Sequence, residues 1–262
     1  MRIFLAGVAN FYNNYLSDFK DEPIYVLESF FYENDQNAQY IKNAKDFLLD
    51  SGAYTFMQSS KKAVNWEEYL ERYIAFVNKY NVKNFFELDI DTITGYEYVR
   101  TLRTKLEKGT GKQCMPVFHK IRGLAEWERM CQEYPYVAIG TIYEYNNKPE
   151  ILLYLLSIAK KYGTKVHGLG FTRLNLLPKI PFYSVDSTSW CCGNRFGFIE
   201  RFNGEIIEKI QKPKNCKLRS AKDSIRNNFV EWVKYQKYMD IKYRQEEKWQ
   251  KYYFIVVEWI VI

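Results

Sequence analysis

NWEEYLERYIAFVNKYNVKNFFEL, running from Asn65 to Leu88, holds one helix and one strand side by side. Trp66, Tyr69, Leu70, Tyr73, Ile74 and Val77 recur at spacings of three and four, which makes one face of a helix over 66–80 apolar. Asn65 with Glu68 three residues later forms a capping-box pattern at its start. Asn84-Phe-Phe-Glu-Leu88 is a short, nearly unbroken apolar run, as expected of a parallel strand covered on both faces. Similar runs occur at Ile3–Val8, Ile24–Leu27, Phe47–Leu49, Met115–Phe118, Val137–Ile139, Val166–Leu169 and Phe182–Val185. Helical patterns intervene near Tyr96–Leu106, Leu124–Glu133 and Pro149–Tyr162, the last with proline in its first turn and Gly163 as a stop.

Counting the run at Asn84, eight strands alternate with helices, and the pattern predicts an α/β protein of the (β/α)8, or TIM-barrel, type. An open doubly wound sheet is the alternative that strand number alone leaves standing. Ala6-Gly7-Val8-Ala9-Asn10, after the first run, lacks the glycines of a dinucleotide or phosphate loop. Beyond Asn203 the alternation stops. Lys217–Tyr243 reads as a long basic helix with Ile225, Phe229, Trp232 and Val233 available for packing. The expected division is a catalytic barrel over residues 1–203 and a basic helical C-terminal extension over 204–262 packed on it.

Composition narrows the classes. The 262 residues are 47% hydrophobic and 26% charged with few Gly and Pro, which excludes disordered and collagen-like chains. The C-terminal run from Phe254 to Ile262 is too short to span a bilayer and carries Glu258. The N-terminus lacks a signal-type apolar region and cleavage site, so the expected location is the cytoplasm, without membrane attachment. Five cysteines, with Cys191 and Cys192 adjacent, do not form a secreted disulfide framework. Residues 209–251 carry 13 Lys/Arg against 5 Asp/Glu, so the net charge of +7 sits in that segment. A localised basic segment suits a polyanion such as nucleic acid; a solvated helix face is the plainer reading.

In a parallel barrel the chemistry lies at the C-terminal ends of the strands. There the sequence places Asp50-Ser-Gly-Ala-Tyr54, Asp89 with Asp91 beyond, His119, Gly140-Thr141, His167-Gly-Leu-Gly170 and Asp186-Ser-Thr188. Each aspartate alone could cap a helix; three of them with both histidines on one rim suggest a site. Gly52 and Gly140 would permit close backbone approach to a ligand or serve turn geometry. Tyr54 could stack on a flat ring, although 23 tyrosines make ordinary packing its plain alternative. Two carboxylates facing one sugar carbon can perform glycosyl chemistry, one as nucleophile and one handling protons, without a metal or other cofactor. His119, His167 and one Asp form no His-x-His or His-Glu-x-x-His pattern, and Cys191, Cys192 and Cys216 lack a fourth ligand. No metal is therefore expected.

Asp50-Ser-Gly-Ala-Tyr54 resembles the Asp-Ser-Gly-Gly-Phe/Tyr motif of tRNA-guanine transglycosylases. Leu88-Asp89, Val117-Phe-His119, Ile139-Gly-Thr141, His167-Gly-Leu-Gly170 and Val185-Asp186 follow in that family's order, so the resemblance covers roughly residues 47–197. It implies a (β/α)8 barrel that exchanges guanine for a 7-deazaguanine base with retention. Asp186 would be the nucleophile at C1′ and Asp50 the general acid/base. Asp89 would read the guanine N1–H and amino group, and Tyr54 would stack on the base. His119 stands where the family has a base-contacting glutamine. Gly140 and Thr141 would face O6 or the 7-substituent. His167 would line the base site at a position that is apolar in the family.

The family's Cys-x-Cys-x-x-Cys…His zinc site has no counterpart here, and the chain is shorter than the tRNA enzymes. The resemblance is therefore closest to the phage and bacterial branch that puts 7-deazaguanines, such as 7-cyano-7-deazaguanine, into DNA. The location would then be the host cytoplasm for a phage protein. Arg195, Lys217, Arg219, Lys222 and Arg226 would supply phosphate contacts to single-stranded DNA or DNA with a flipped-out guanine. Trp190, Phe196 and Trp232 could stack exposed bases or pack in the core. Family members often dimerise, which makes a homodimer an expectation. The alternatives are a tRNA enzyme without the zinc subdomain, a nucleic-acid-binding barrel that has lost catalysis, and a free-nucleoside glycosidase.

Overall fold

The structure is a computed structural model that describes residues 1–8, 23–32, 39–52, 55, 64–140, 145, 148–171, 173–191, 198–211 and 221–245. Its first half runs β1 (Arg2–Ala6), β2 (Tyr25–Ser29), α1 (Gln39–Asn43), β3 (Asp46–Asp50), α2 (Trp66–Lys79), β4 (Asn84–Phe85), α3 (Asp91–Thr94) and α4 (Tyr96–Thr110). The second half runs β5 (Val117–Phe118), α5 (Leu124–Glu133), β6 (Tyr136–Ile139), α6 (Pro149–Lys161), β7 (Lys165–Gly168), β8 (Ser184–Ser187), β9 (Phe198–Phe202), β10 (Ile207–Gln211) and α7 (Ala221–Gln245).

Strands β1 to β8 form one curled, all-parallel sheet in the order β4-β3-β2-β1-β8-β7-β6-β5. β4 and β5, the outermost strands of that order, are linked by one parallel bridge between Phe86 and Met115. There Glu87 N–H donates to the Met115 carbonyl at 3.0 Å, and Met115 N–H to that of Phe85 at 2.8 Å.

Side chains alternate across each strand. Ile3, Leu5, Val26, Leu49, Phe85, Val137, Val166 and Val185 join the large core beneath the helices. Phe4, Ala6, Tyr25, Leu27, Leu48, Phe86, Val117 and Ala138 form a second core on the inner face of the curl. Both faces are buried, which explains why these strands read as unbroken apolar runs rather than as alternation.

α2 forms as its sequence predicts: the Asn65 side chain accepts from Glu68 N–H, and Tyr69, Leu70, Tyr73 and Val77 are buried. Its tyrosines also hold strand ends in place. Tyr69 donates to the Ser51 carbonyl at 2.6 Å, and the Tyr73 hydroxyl lies 3.2 and 3.0 Å from the carbonyls of Leu49 and Phe86.

α7 is more deeply seated than an amphipathic surface helix. Ile225, Phe229, Trp232, Val233, Tyr235 and Met239 are all buried. Each large apolar side chain so buried contributes about 1.5–3 kcal/mol. Near the start of α7, Phe229 packs on Trp190, whose indole donates to the Ala6 carbonyl at the end of β1. Further along, Gln236 donates to the carbonyls of Ile3 and Tyr25 and accepts from Tyr25 N–H. The helix therefore runs antiparallel to β1, along the outer side of the sheet. β9 and β10 form an antiparallel hairpin that the sequence reading did not contain, and position 203 lies in its turn. Glu200 anchors this hairpin to α7 through Asn228 and the Trp232 indole. Among the described residues no helix is long and apolar enough to cross a membrane.

Candidate functional site

Asp50, His119, His167 and Asp186, at the C-terminal ends of their strands, fall on the inner face by parity. Asp50 follows Leu48 on β3 at a spacing of two, and His119 follows Val117 beyond β5. His167 on β7 pairs in register with Ala138 and with Ser184, and Asp186 lies two residues beyond Ser184 on β8. A one-residue slip in any of these strands would turn the group into the helix layer.

Asp50 is half-buried and accepts from Gly52 N–H at 3.1 Å. Burial above all, and then the charge of Asp89, pushes its carboxyl up to about 7; the bond from Gly52 opposes the shift and Asp186 adds to it. The three carboxylates thus share one electrostatic environment. Gly52 itself adopts a φ of +78°, and a Cβ there would lie 2.7 Å from Phe31 Cβ. Its lack of a side chain permits a tight turn against Phe31.

Asp89 accepts from the Ser51 hydroxyl at 3.2 Å and lies 3.7 Å from His119 Nε2. Burial raises its pKa, against the opposing pull of His119. His119 Nδ1 lies 2.7 Å from Asp91 Oδ1, and Asp91 Oδ2 accepts from Arg122 Nε at 2.8 Å. Burial would raise the Asp91 carboxyl, but the hydrogen bonds from His119 and Arg122 outweigh it and hold the group well below the usual range. Burial likewise works against the His119 imidazolium and is outweighed by Asp91 and Asp89, so the pKa of the ring is raised.

This chain of ion pairs continues beneath the inner face. Arg122 donates to Glu87 at 2.7 Å, Arg103 donates to the other Glu87 oxygen at 2.7 Å, and Val117 N–H also bonds Glu87. Arg122 lies 4.3 Å over the Tyr96 ring. Glu87 and Asp91 are thus paired with Arg103, Arg122 and His119, and Asp89 stands beside the same ring. Buried charges persist when paired in this way.

Asp186 is held at one oxygen. Oδ1 accepts from Gly170 N–H at 2.6 Å and lies 3.2 Å from His167 Nε2. His167 is fully buried and its Nδ1 lies 2.6 Å from the Ser184 hydroxyl.

Six of the residues singled out in the sequence, Asp50, Asp89, His119, Gly140, His167 and Asp186, sit at the C-terminal ends of the strands. At Gly140 the missing side chain makes room for a neighbour: a Cβ would lie 2.5 Å from His119 Nε2. Lys222 and Arg226 are exposed near the start of α7, one turn apart. Tyr54, Thr141, Arg195, Lys217 and Arg219 lie outside the described residues, as do Phe196, Cys192 and Cys216. Trp190 and Trp232 are fully buried, so the base-stacking role considered for them gives way to core packing.

The supporting ion pairs were missing from the sequence reading. A signal existed: Glu87 interrupts an apolar strand and Arg103 falls among the buried positions of α4 with Val99, Leu102 and Leu106. A charge in such a place needs a partner, but nothing local says which. Among the described residues no group of three or more His, Cys, Asp or Glu is placed to hold a metal ion.

Chemically, the site offers a carboxyl that can give or take a proton at neutral pH, a second carboxylate fixed at one oxygen, and a third beside an imidazole. The sequence matches no protein-family model and no curated protein.

Proposed function

We propose that this protein is a guanine transglycosylase that replaces guanine in DNA with a 7-deazaguanine base, on a sheet closed into a (β/α)8 barrel. The observation that supports it most is the grouping of Asp50, Asp89 and Asp186 on one end of a parallel sheet, with Asp50 held at about 7. That is the order and the chemistry that the resemblance to tRNA-guanine transglycosylases implies. The Phe86–Met115 bridge between the outermost strands supports closure.

In this reading an Asp186 oxygen bonds C1′ as the C1′–N9 bond breaks. The bonding pair leaves with guanine, and Asp50 gives N9 its proton. The incoming base returns N9–H to the Asp50 carboxylate and attacks C1′, releasing Asp186. Two inversions give net retention. A carboxyl titrating near neutrality suits a group that must donate in one step and accept in the next.

Asp89 and His119 supply the base contacts. An acceptor at Asp89 with the imidazole N–H 3.7 Å away faces the N1–H donor and O6 acceptor that are adjacent on guanine. Adenine presents the opposite pair at those positions. Lys222 and Arg226 take DNA phosphates at the end of α7 nearest the site.

The test is a base-exchange assay on DNA carrying labelled guanine, with excess 7-cyano-7-deazaguanine and tRNA run in parallel. Release of label from DNA, lost in Asp186→Ala, is the expected result. Release from tRNA alone would move the protein to the RNA-modifying branch. Exchange at the wild-type rate in Asp186→Ala would overturn the nucleophile assignment. In gel shifts at stated salt, Lys222→Ala with Arg226→Ala should weaken DNA binding and flatten its salt dependence by about one slope unit per lost phosphate contact.

A further inference from the structure

Among the apolar side chains of the inner face, one line of polar groups crosses three neighbouring strands. Tyr136 on β6, Ser184 and Asp186 on β8 and His167 on β7 between them are joined side chain to side chain. The Tyr136 hydroxyl bonds Ser184 Oγ, Ser184 Oγ lies 2.6 Å from His167 Nδ1, and His167 Nε2 lies 3.2 Å from Asp186 Oδ1. His167 and Ser184 are fully buried, and Phe4 and Phe86 pack against the imidazole at 6.0 and 5.4 Å between ring centres. Burying a histidine and two hydroxyls where aliphatic side chains usually fill a parallel barrel carries a cost unless every group is satisfied.

Satisfaction fixes the direction of the protons. A carboxylate has none to give, so the bond to Asp186 requires the proton on Nε2. In a neutral ring Nδ1 then accepts, and Ser184 must donate to it. Ser184 has one proton, so its oxygen accepts from Tyr136. Burial pushes the Tyr136 hydroxyl well above its ordinary range, which keeps it a donor.

We propose that Tyr136, Ser184 and His167 are a positioning device for Asp186: they hold His167 as the neutral Nε2–H tautomer, and His167 with Gly170 N–H ties down Oδ1 so that Oδ2 is the oxygen presented for reaction. Among the described residues nothing bonds Oδ2. The functional consequence rests on the reading of Asp186 as nucleophile; the tautomer does not.

The chain has two histidines, so nitrogen NMR of protein labelled with 15N-histidine resolves both rings, and His119→Gln assigns them. The expected spectrum shows His167 with a protonated Nε2 and an unprotonated Nδ1. In Ser184→Ala, and in the near-isosteric Tyr136→Phe should the first not fold, Nε2 should keep its proton for Asp186 while the Nδ1 resonance shifts as its hydrogen-bond donor is lost or weakened. Exchange kinetics on the same proteins should show kcat down at least tenfold with KM for DNA unchanged. At position 167, glutamine carries an N–H donor near the place of Nε2 and should recover part of the activity that leucine loses.

A protonated Nδ1 in the wild type, or an Nδ1 resonance unmoved by both substitutions, would overturn the inference whatever the protein catalyses. Equal activity of His167→Gln and His167→Leu, or a change confined to KM, would overturn the positioning role. Failure of the wild type to exchange any base would instead defeat the functional reading, with the NMR result still deciding the proton order.

Discussion

Asp50→Asn should inactivate the protein and stabilise it, by an amount that depends on pH. The substitution keeps an oxygen that can accept from Gly52 N–H, a bond of 3.1 Å in the wild type. It removes a carboxyl that burial and the charge of Asp89 have moved from its ordinary 3.8 to about 7. Between those two values the folded protein still holds a proton that the unfolded chain has released. Raising the pH through this window therefore favours unfolding; below about 4 and above about 7 the contribution is flat.

The full change is worth on the order of 4 kcal/mol, at about 1.4 kcal/mol for each tenfold change in proton affinity. Urea unfolding of both proteins from pH 4 to pH 8 reads it directly. The stability of Asp50→Asn relative to wild type should rise across that range by roughly 2–4 kcal/mol, the lower figure allowing for solvent reaching a half-buried group. Exchange should fall by about 10²–10⁴, the usual weight of a general acid/base. A stability difference constant between pH 4 and pH 8 would show that the Asp50 carboxyl is not perturbed, and the acid/base assignment would lose its physical basis.

Two further substitutions probe the base side of the site. Gly140→Ala would put a methyl group 2.5 Å from His119 Nε2 and 2.9 Å from Val117 Cγ1, so the imidazole must swing off Asp91. We expect a loss of about 1–3 kcal/mol in urea unfolding and a raised KM for the incoming base; unchanged values of both would refute the packing described. Arg122→Met removes the partner shared by Asp91 and Glu87 and leaves the buried group one positive charge short. It should cost about 3–5 kcal/mol in urea unfolding. The His119 pKa, which Arg122 holds down, should rise further in an NMR titration; a fall would contradict the ion-pair arrangement.

The sequence alone determined what short-range spacing can encode. The apolar period of three and four gave α2, with Asn65 marking its start, and the unbroken runs gave eight strands within two residues of where they lie, except that the run at Asn84–Leu88 extends three residues past β4. Because strand ends are local features, Asp50, Asp89, His119, His167 and Asp186 could be assigned to one end of the sheet before any contact was known. The β9–β10 hairpin escaped, since Phe198–Phe202 and Ile207–Gln211 mix exposed charged residues with buried ones and owe their pairing to the α7 surface beneath.

The tertiary structure decided the partners. Glu87 with Arg103 and Arg122, His119 with Asp91, and Asp186 with His167 are 16 to 35 residues apart in the chain. His167 and Asp186 meet through the parallel register of β7 and β8, whereas Arg103 on α4, Asp91 on α3 and Arg122 just beyond β5 reach their partners through the packing of those segments at the sheet's end. It decided too that the basic segment's helix is buried along β1 with Lys222 and Arg226 left outside, and that Gly140 is small for the sake of His119. Periodicity tells a strand which faces to bury; which charge stands opposite, and so how far a carboxyl's proton affinity moves, depends on register across strands that no local spacing records.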